Sequence, residues 1–102
     1  MFLGTVIGTV VAPVQIPILE GQTLLLVRPV TPDGRPTGRT RVAIDRAQAG
    51  VGDRVLVLDE GNGARQIFGD PKGAVKTIVV GVVDYVETDA GRVYDAASPT
   101  PR

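Results

Sequence analysis

Three aspartates at the ends of apolar segments are the residues of this chain best suited to chemistry. Asp45 and Asp84 each follow an apolar run, and Asp53 precedes another. Two carboxylates held together can act as general acid and base, and several can bind a cation through oxygen. Nothing in the sequence brings the three together, and each position suits a turn or a cap. We therefore predict no catalytic residue and no metal ligand, and assign Asp45, Asp53 and Asp84 to turns.

The chain lacks the side chains that support most other enzyme chemistry. Its 102 residues include no His and no Cys. This excludes the commonest general base, thiolate nucleophiles and the usual zinc ligands. A glycine-rich segment at residues 61–66 fails the dinucleotide-binding pattern, because Gln66 stands where a third small residue belongs. We predict that the protein is not an enzyme and binds no cofactor.

Positive charge is concentrated around one loop, in Arg35, Arg39, Arg41 and Arg46. Binding of single-stranded nucleic acid usually also needs aromatic side chains on which bases stack. The aromatic residues all lie outside this stretch, at Phe2, Phe68, Tyr85 and Tyr94. Eleven basic residues balance eleven acidic ones, so no net field attracts a phosphate backbone. A monomeric nucleic-acid-binding barrel remains the alternative function, and nucleic acid is an unlikely partner.

Five short runs rich in Val, Ile, Leu and Thr predict five β-strands, at residues 3–11, 23–27, 41–44, 54–58 and 77–83. Residues 31–38 are dense in Pro, Gly, Asp and Thr, which predicts an exposed hairpin loop. No segment has a long amphipathic helical pattern, so the long crossovers that directly connect parallel strands are missing. The sheet is therefore expected to be mostly antiparallel.

The helical signals are short. Asp45 precedes residues 46–49 and can cap a helical turn, which Gly50 would end in a left-handed conformation, with Gly52 just beyond. A second short helix is predicted at residues 64–66, capped by Asn62. The fold class is all-β: a small five-stranded antiparallel barrel of the oligonucleotide-binding (OB) type with one short helix. We expect one domain at residues 1–95 and a flexible tail at residues 96–102.

Several of the predicted strands are apolar on both faces. Residues 24–27, 55–58 and 78–83 do not alternate with polar residues, as strands with one wet face should. A small barrel buries only its inner face, so another copy of the chain is the simplest cover for the outer one. No apolar run approaches the ~18 residues of a membrane-spanning helix, and the first residues lack a basic segment. We expect a cytoplasmic homo-oligomer without membrane contact.

Residues 42–57 resemble the centre of the EutN/CcmL family of bacterial microcompartment vertex proteins. This segment begins Val-Ala-Ile-Asp and ends Ala-Gly-Val-Gly-Asp-Arg-Val-Leu-Val. Blocks at residues 3–12, 24–29, 63–65 and 79–84 are similar to other family blocks in the same order, so the likeness spans residues 1–86. The resemblance implies a five-stranded barrel that assembles as a homopentamer and caps the fivefold vertices of a protein shell.

The same resemblance implies partners and a location. Hexameric and trimeric shell proteins would adjoin the pentamer in the shell of a microcompartment in the cytoplasm. Gly61, Asn62 and Gly63 would line the central opening as a small polar collar. From the residues alone, the same segment also reads as a turn in which Asn62 caps a helix.

Overall fold

The computed structural model describes residues 1–11, 21–59 and 77–98, and these form seven β-strands. Five strands match the predicted runs: β1 (Phe2–Val10), β2 (Leu24–Pro29), β3 (Arg41–Asp45), β4 (Arg54–Leu58) and β5 (Ile78–Val82). Two more follow, β6 (Tyr85–Thr88) and β7 (Gly91–Asp95). Val, Ile, Leu and Thr fill most positions of the first five strands, and the β-branched residues among them pack well on a pleated surface. The five predicted strands are confirmed.

The first five strands close into a barrel in the order β1-β2-β3-β5-β4. Every neighbouring pair is antiparallel except β3 and β5, which run parallel with Ile44 opposite Ile78. The prediction of a mostly antiparallel barrel is confirmed, and this pair is the exception. The chain reverses direction into β4 and again into β5, so β5 regains the direction of β3. No helical crossover is required, because β4 is itself the connection.

Small aliphatic side chains fill the inside of the barrel. The core cluster is supplied by strands β1 to β5 and consists of Val6, Leu25, Val27, Ala43, Val55, Val57 and Val79. Gly4 of β1 is also buried and lies directly against the Val27 side chain; a β-carbon at Gly4 would come within 2.4 Å of Val27 Cγ1. That separation is too short for two carbon atoms, so close packing requires glycine in this inward position.

The helical turn predicted after Asp45 is wrong. Residues 46–50 form bends and loop, and Gln48 has a φ of 56°, on the left-handed side of the backbone map. A helix needs negative φ at every residue, so Gln48 breaks the turn. The second predicted helix, at residues 64–66, lies outside the described residues. Among the residues described, no helix has the length and apolar character needed to cross a bilayer.

A β-hairpin formed by β6 and β7 was missed by the sequence reasoning. It is a separate two-stranded sheet, joined by pairs such as Tyr85 with Asp95 and Val86 with Tyr94. Its signal was present, since aromatic and β-branched residues flank the turn residues Asp89, Ala90 and Gly91. The tail predicted at residues 96–102 begins beyond β7. Its first residue is held to the fold, because the Ala96 N–H donates to the Asp84 carbonyl. Residues 99–102 lie outside the described part.

Replacing Val79 by Asp should abolish folding. Val79 is fully buried in the core, and an unpaired carboxylate there costs several kcal/mol. We expect circular dichroism to show loss of the cooperative thermal transition. Val11→Asp is the matched control, because Val11 is 97% exposed and should tolerate the same change. A normal melting curve for the Val79 variant would mean that this strand is placed wrongly.

Candidate subunit interface

The Asp45 carboxylate organises the loop that follows β3. Its Oδ1 accepts from the Ala47 N–H at 3.0 Å, and its Oδ2 accepts from the Ala49 N–H at 3.0 Å. Ala47 and Ala49 are half-buried and pack against the barrel core. The Arg46 N–H donates to the Val79 carbonyl, which ties the loop to β5. Asp45 therefore holds a loop against the barrel interior, a structural role.

Asp53 holds the turn that leads into β4. Its Oδ2 accepts from the Gly50 N–H at 2.8 Å, while its own N–H donates to the Gly50 carbonyl. Gly52 has a φ of 96°, the conformation that a tight turn demands of glycine at this position. The predicted left-handed residue, Gly50, is not among those with positive φ. The Gly52 N–H donates to Val6, so the turn is anchored on β1.

Asp84 lies at the exit of the barrel, between β5 and β6. Its backbone carbonyl accepts from the Ala96 N–H at 2.8 Å, which closes the base of the β6–β7 hairpin. Within residues 1–11, 21–59 and 77–98, no group of three or more carboxylates or other ligands could hold a metal ion. Asp45 and Asp53 thus hold the β3–β4 connection, and Asp84 holds the base of the hairpin.

The outer face of the barrel carries aliphatic side chains that the monomer leaves partly open. They alternate with core residues along β2, β4 and β5 and are half-buried: Leu24, Leu26, Leu56, Leu58 and Val80. Val42 lies opposite Leu26 on the neighbouring strand and is 48% exposed, and Val82 is 41% exposed. A face of this kind is typical of a surface that a protein partner covers.

Two of the four loop arginines, Arg41 and Arg35, form ion pairs within the chain. Arg41 Nη1 donates to Asp59 Oδ2 at 2.9 Å, and its guanidinium lies 4.9 Å from the centre of the Phe2 ring. Arg35 pairs with Asp33 at 3.3 Å in the exposed loop. Sequence reasoning missed the Phe2 contact, because the pairing of β1 with β4 brings Phe2 near Asp59 across a long sequence separation.

Asp59 accepts two charged donors. Its Oδ2 accepts from Arg41, and its Oδ1 accepts from the N-terminal ammonium group at 3.1 Å. The hydrogen bond from Arg41, followed by that from the ammonium group, lowers the pKa of Asp59 below the ordinary value of 3.8. Both donors stabilise the charged form of the carboxylate.

Arg54 links four parts of the molecule and was also missed. Its Nε donates to Thr5 Oγ1 at 3.2 Å, and its guanidinium stacks on Tyr94 with 4.3 Å from Cζ to the ring centre. Gly34 of the exposed loop lies against the same guanidinium, since a β-carbon there would lie 2.9 Å from Nη2. Arg54 thus joins β4 to β1, to the β2–β3 loop and to the hairpin. The residues predicted to line a pore, Gly61, Asn62 and Gly63, lie outside the described residues.

A family model described as ethanolamine utilisation protein EutN/carboxysome matches residues 1–84. The bacterial microcompartment shell vertex protein PduN of Salmonella typhimurium is 46% identical over 88 residues, covering 82% of this chain and 96% of PduN. The bacterial microcompartment shell vertex protein GrpN of Rhodospirillum rubrum is 41% identical over 88 residues, covering 86% of this chain and 98% of GrpN.

Solved structures give the same result. CcmL of Gloeobacter violaceus superposes with a TM-score of 0.84 at 34% identity, covering 96% of this chain and all of that one. The pentameric microcompartment shell protein GrpN from Rhodospirillum rubrum superposes with a TM-score of 0.76 at 42% identity, covering 86% of this chain and 99% of that one. The likeness extends over nearly the whole length of each relative.

Replacing Asp45 by Ala should lower the free energy of unfolding by about 1–3 kcal/mol. The change removes the acceptor for two backbone N–H groups at a half-buried loop. Denaturant unfolding monitored by circular dichroism measures the difference. Arg35→Ala is the control and should stay within about 0.5 kcal/mol of the wild type, because Arg35 is exposed in a loop. Equal stabilities for the two variants would contradict the structural role of Asp45.

Asp59 should make the protein more stable above its ordinary titration range than below it. Because folding lowers the pKa of Asp59, its contribution is complete above about pH 5 and disappears as the pH falls through the folded-state pKa. Asp59→Asn should remove this contribution. We therefore expect the difference in melting temperature between wild type and variant to be largest near pH 6 and to shrink towards pH 2. A pH-independent difference would show that the charge of Asp59 is immaterial.

Proposed function

The chain belongs to the EutN/CcmL family, and from this membership we propose that it is a structural protein whose pentamers cap the fivefold vertices of a bacterial microcompartment shell. One observation carries the proposal: its likeness, at 42% identity and over 86% of the chain, to a shell protein described as pentameric. The relatives named as shell vertex proteins support the same role. The protein then acts through its shape, without catalysis.

The half-buried aliphatic residues on the outside of the barrel support assembly. In a closed ring of five, each subunit presents one surface to a different surface of the next, after a rotation of about 72°. Such a heterologous contact needs apolar area outside the core, and the outer faces of β2, β4 and β5 provide it. Burial of that area contributes roughly 25 cal/mol per Å² before the entropic costs of association are subtracted.

The pentamer would occupy a fivefold vertex of the shell. Flat tiles with sixfold or pseudo-sixfold symmetry cover a plane, and a fivefold unit among them forces the curvature that closes a shell. We therefore infer hexameric and trimeric shell proteins as partners and the microcompartment shell in the cytoplasm as the location. The collar predicted for Gly61, Asn62 and Gly63 belongs to the same proposal, since a fivefold axis repeats the same residues of five subunits around one opening.

The mass of the purified chain in solution tests the proposal directly. We expect native mass spectrometry and light scattering to give five chains over a broad range of concentration. The alternative of a nucleic-acid-binding barrel has no need of five copies. A monomer that persists at high concentration would overturn the vertex proposal.

Replacing Leu56 by Asp should break the ring. Leu56 alternates with the buried Val55 and Val57 and lies on the outer face. A charge there remains hydrated in a monomer but is desolvated in an apolar contact. We expect the mass to fall to one chain while the β-sheet signal in circular dichroism persists. Arg35→Ala is the control and should keep the mass of the wild type. A pentameric mass for the Leu56 variant would show that Leu56 does not lie in the subunit contact.

A further inference from the structure

Two arginines flank a threonine on the outside of the barrel. Thr5 of β1 lies opposite Arg28 of β2 and opposite Arg54 of β4, so the three side chains share one face across three neighbouring strands. With strands about 4.8 Å apart, the two arginine backbones lie roughly 10 Å apart. We call Arg28, Thr5 and Arg54 the basic strip.

The basic strip has donors without acceptors. Arg28 is exposed, and its side chain forms no ion pair or hydrogen bond with the described part of the chain. Arg54 is held by Thr5 and Tyr94, yet its Nη1 is buried and has no acceptor among the described residues. Guanidinium groups bind carboxylates strongly, through charge-assisted hydrogen bonds. The exposed guanidinium of Arg28 therefore fits an incoming carboxylate.

The charge of the chain is divided between the barrel and the hairpin. Residues 1–11 and 21–59 hold six arginines and four aspartates, a surplus of two positive charges. Residues 84–95 hold four acidic residues and one arginine, a surplus of three negative charges. Asp89 at the hairpin tip is exposed and forms no ion pair with the described residues, whereas Glu87 already pairs with Arg92 at 3.1 Å.

The hairpin tip lies away from the basic strip of its own chain. The base of the hairpin contacts the strip, because Tyr94 stacks on Arg54 and pairs with Val86 in the hairpin. Asp89 lies three residues beyond Val86, roughly 10 Å farther along the hairpin. The tip carboxylate and the strip are therefore separate parts of the surface, as the two halves of a head-to-tail contact must be.

We propose that the basic strip of one subunit receives the hairpin tip of the next, with Asp89 of one copy pairing with Arg28 of its neighbour. The proposal rests on the ring of the preceding subsection and names one polar contact within it. The contact would also stabilise the β6–β7 hairpin, since a two-stranded sheet alone is only marginally stable. The contact is heterologous, and its repetition closes a ring of five when neighbouring subunits are related by a rotation of about 72°.

Charge reversal tests the pairing. Arg28→Asp and Asp89→Arg should each raise the concentration at which the pentamer dissociates by about tenfold or more, because attraction becomes repulsion. The double variant restores opposite charges and should bring the dissociation concentration most of the way back to that of the wild type. Arg39→Asp is the control, since Arg39 is also exposed but lies in the β2–β3 loop. The pairing would be overturned if the single variants dissociated at the same concentration as the Arg39 control. It would also be overturned if the double variant dissociated as readily as the single variants.

Cross-linking gives an independent measurement of proximity. The chain has no natural cysteine, so introduced thiols are the only ones present. An arginine–aspartate pair leaves its β-carbons too far apart for a disulfide, so a short bis-maleimide is the suitable reagent. A chain carrying both Arg28→Cys and Asp89→Cys should give a ladder of linked subunits on a denaturing gel, and each single variant should not. Absence of the ladder from an intact pentamer would overturn the contact.

The two proposals fail separately. A wild-type chain that is monomeric at every concentration overturns the vertex function and the contact with it. If the wild type is a pentamer and both charge-reversal variants assemble as well as it does, the vertex function stands and only the contact is overturned.

Discussion

Closure of the sheet through the pairing of β3 with β5 is the constraint on which the rest of the structure depends. It turns five short strands into a barrel without edges, with seven small aliphatic residues sealed inside. Closure leaves no room for larger groups near β1, where Gly4 lies against Val27. A barrel this small has one interior, so every second strand residue must face outward whether it is polar or not.

The polar residues around the barrel are used to hold its connections. Asp45 and Asp53 accept from backbone N–H groups of loops, and the carbonyl of Asp84 closes the base of the hairpin. Backbone groups in loops need partners as much as those in strands, and short carboxylates supply them. Among the described residues these aspartates therefore hold connections, and no three of the carboxylates are grouped as metal ligands would be.

The outward residues then decide what the barrel can do. Half-buried Leu24, Leu26 and Leu56 offer apolar area, while the basic strip and the acidic hairpin offer charges of opposite sign on different parts of the surface. Apolar area supplies most of the free energy of association, and charge fixes register and the choice of partner. A heterologous ring needs both on two different surfaces of one subunit, and this chain has both.

The sequence by itself determined the five barrel strands, the exposed loop at residues 31–38, the apolar outer faces and the family, because β-branched runs, turn residues and local blocks are read from neighbouring positions. Only the tertiary structure decided the parallel β3–β5 pair, the non-helical loop after Asp45, and the contacts of Phe2, Arg41 and Arg54. Barrel closure and loop conformation depend on groups distant in the chain: Thr5 meets Arg54 across 49 positions, and Arg46 donates to Val79. Local patterns carry no record of such pairings, so residues that join strands become visible only when the barrel closes.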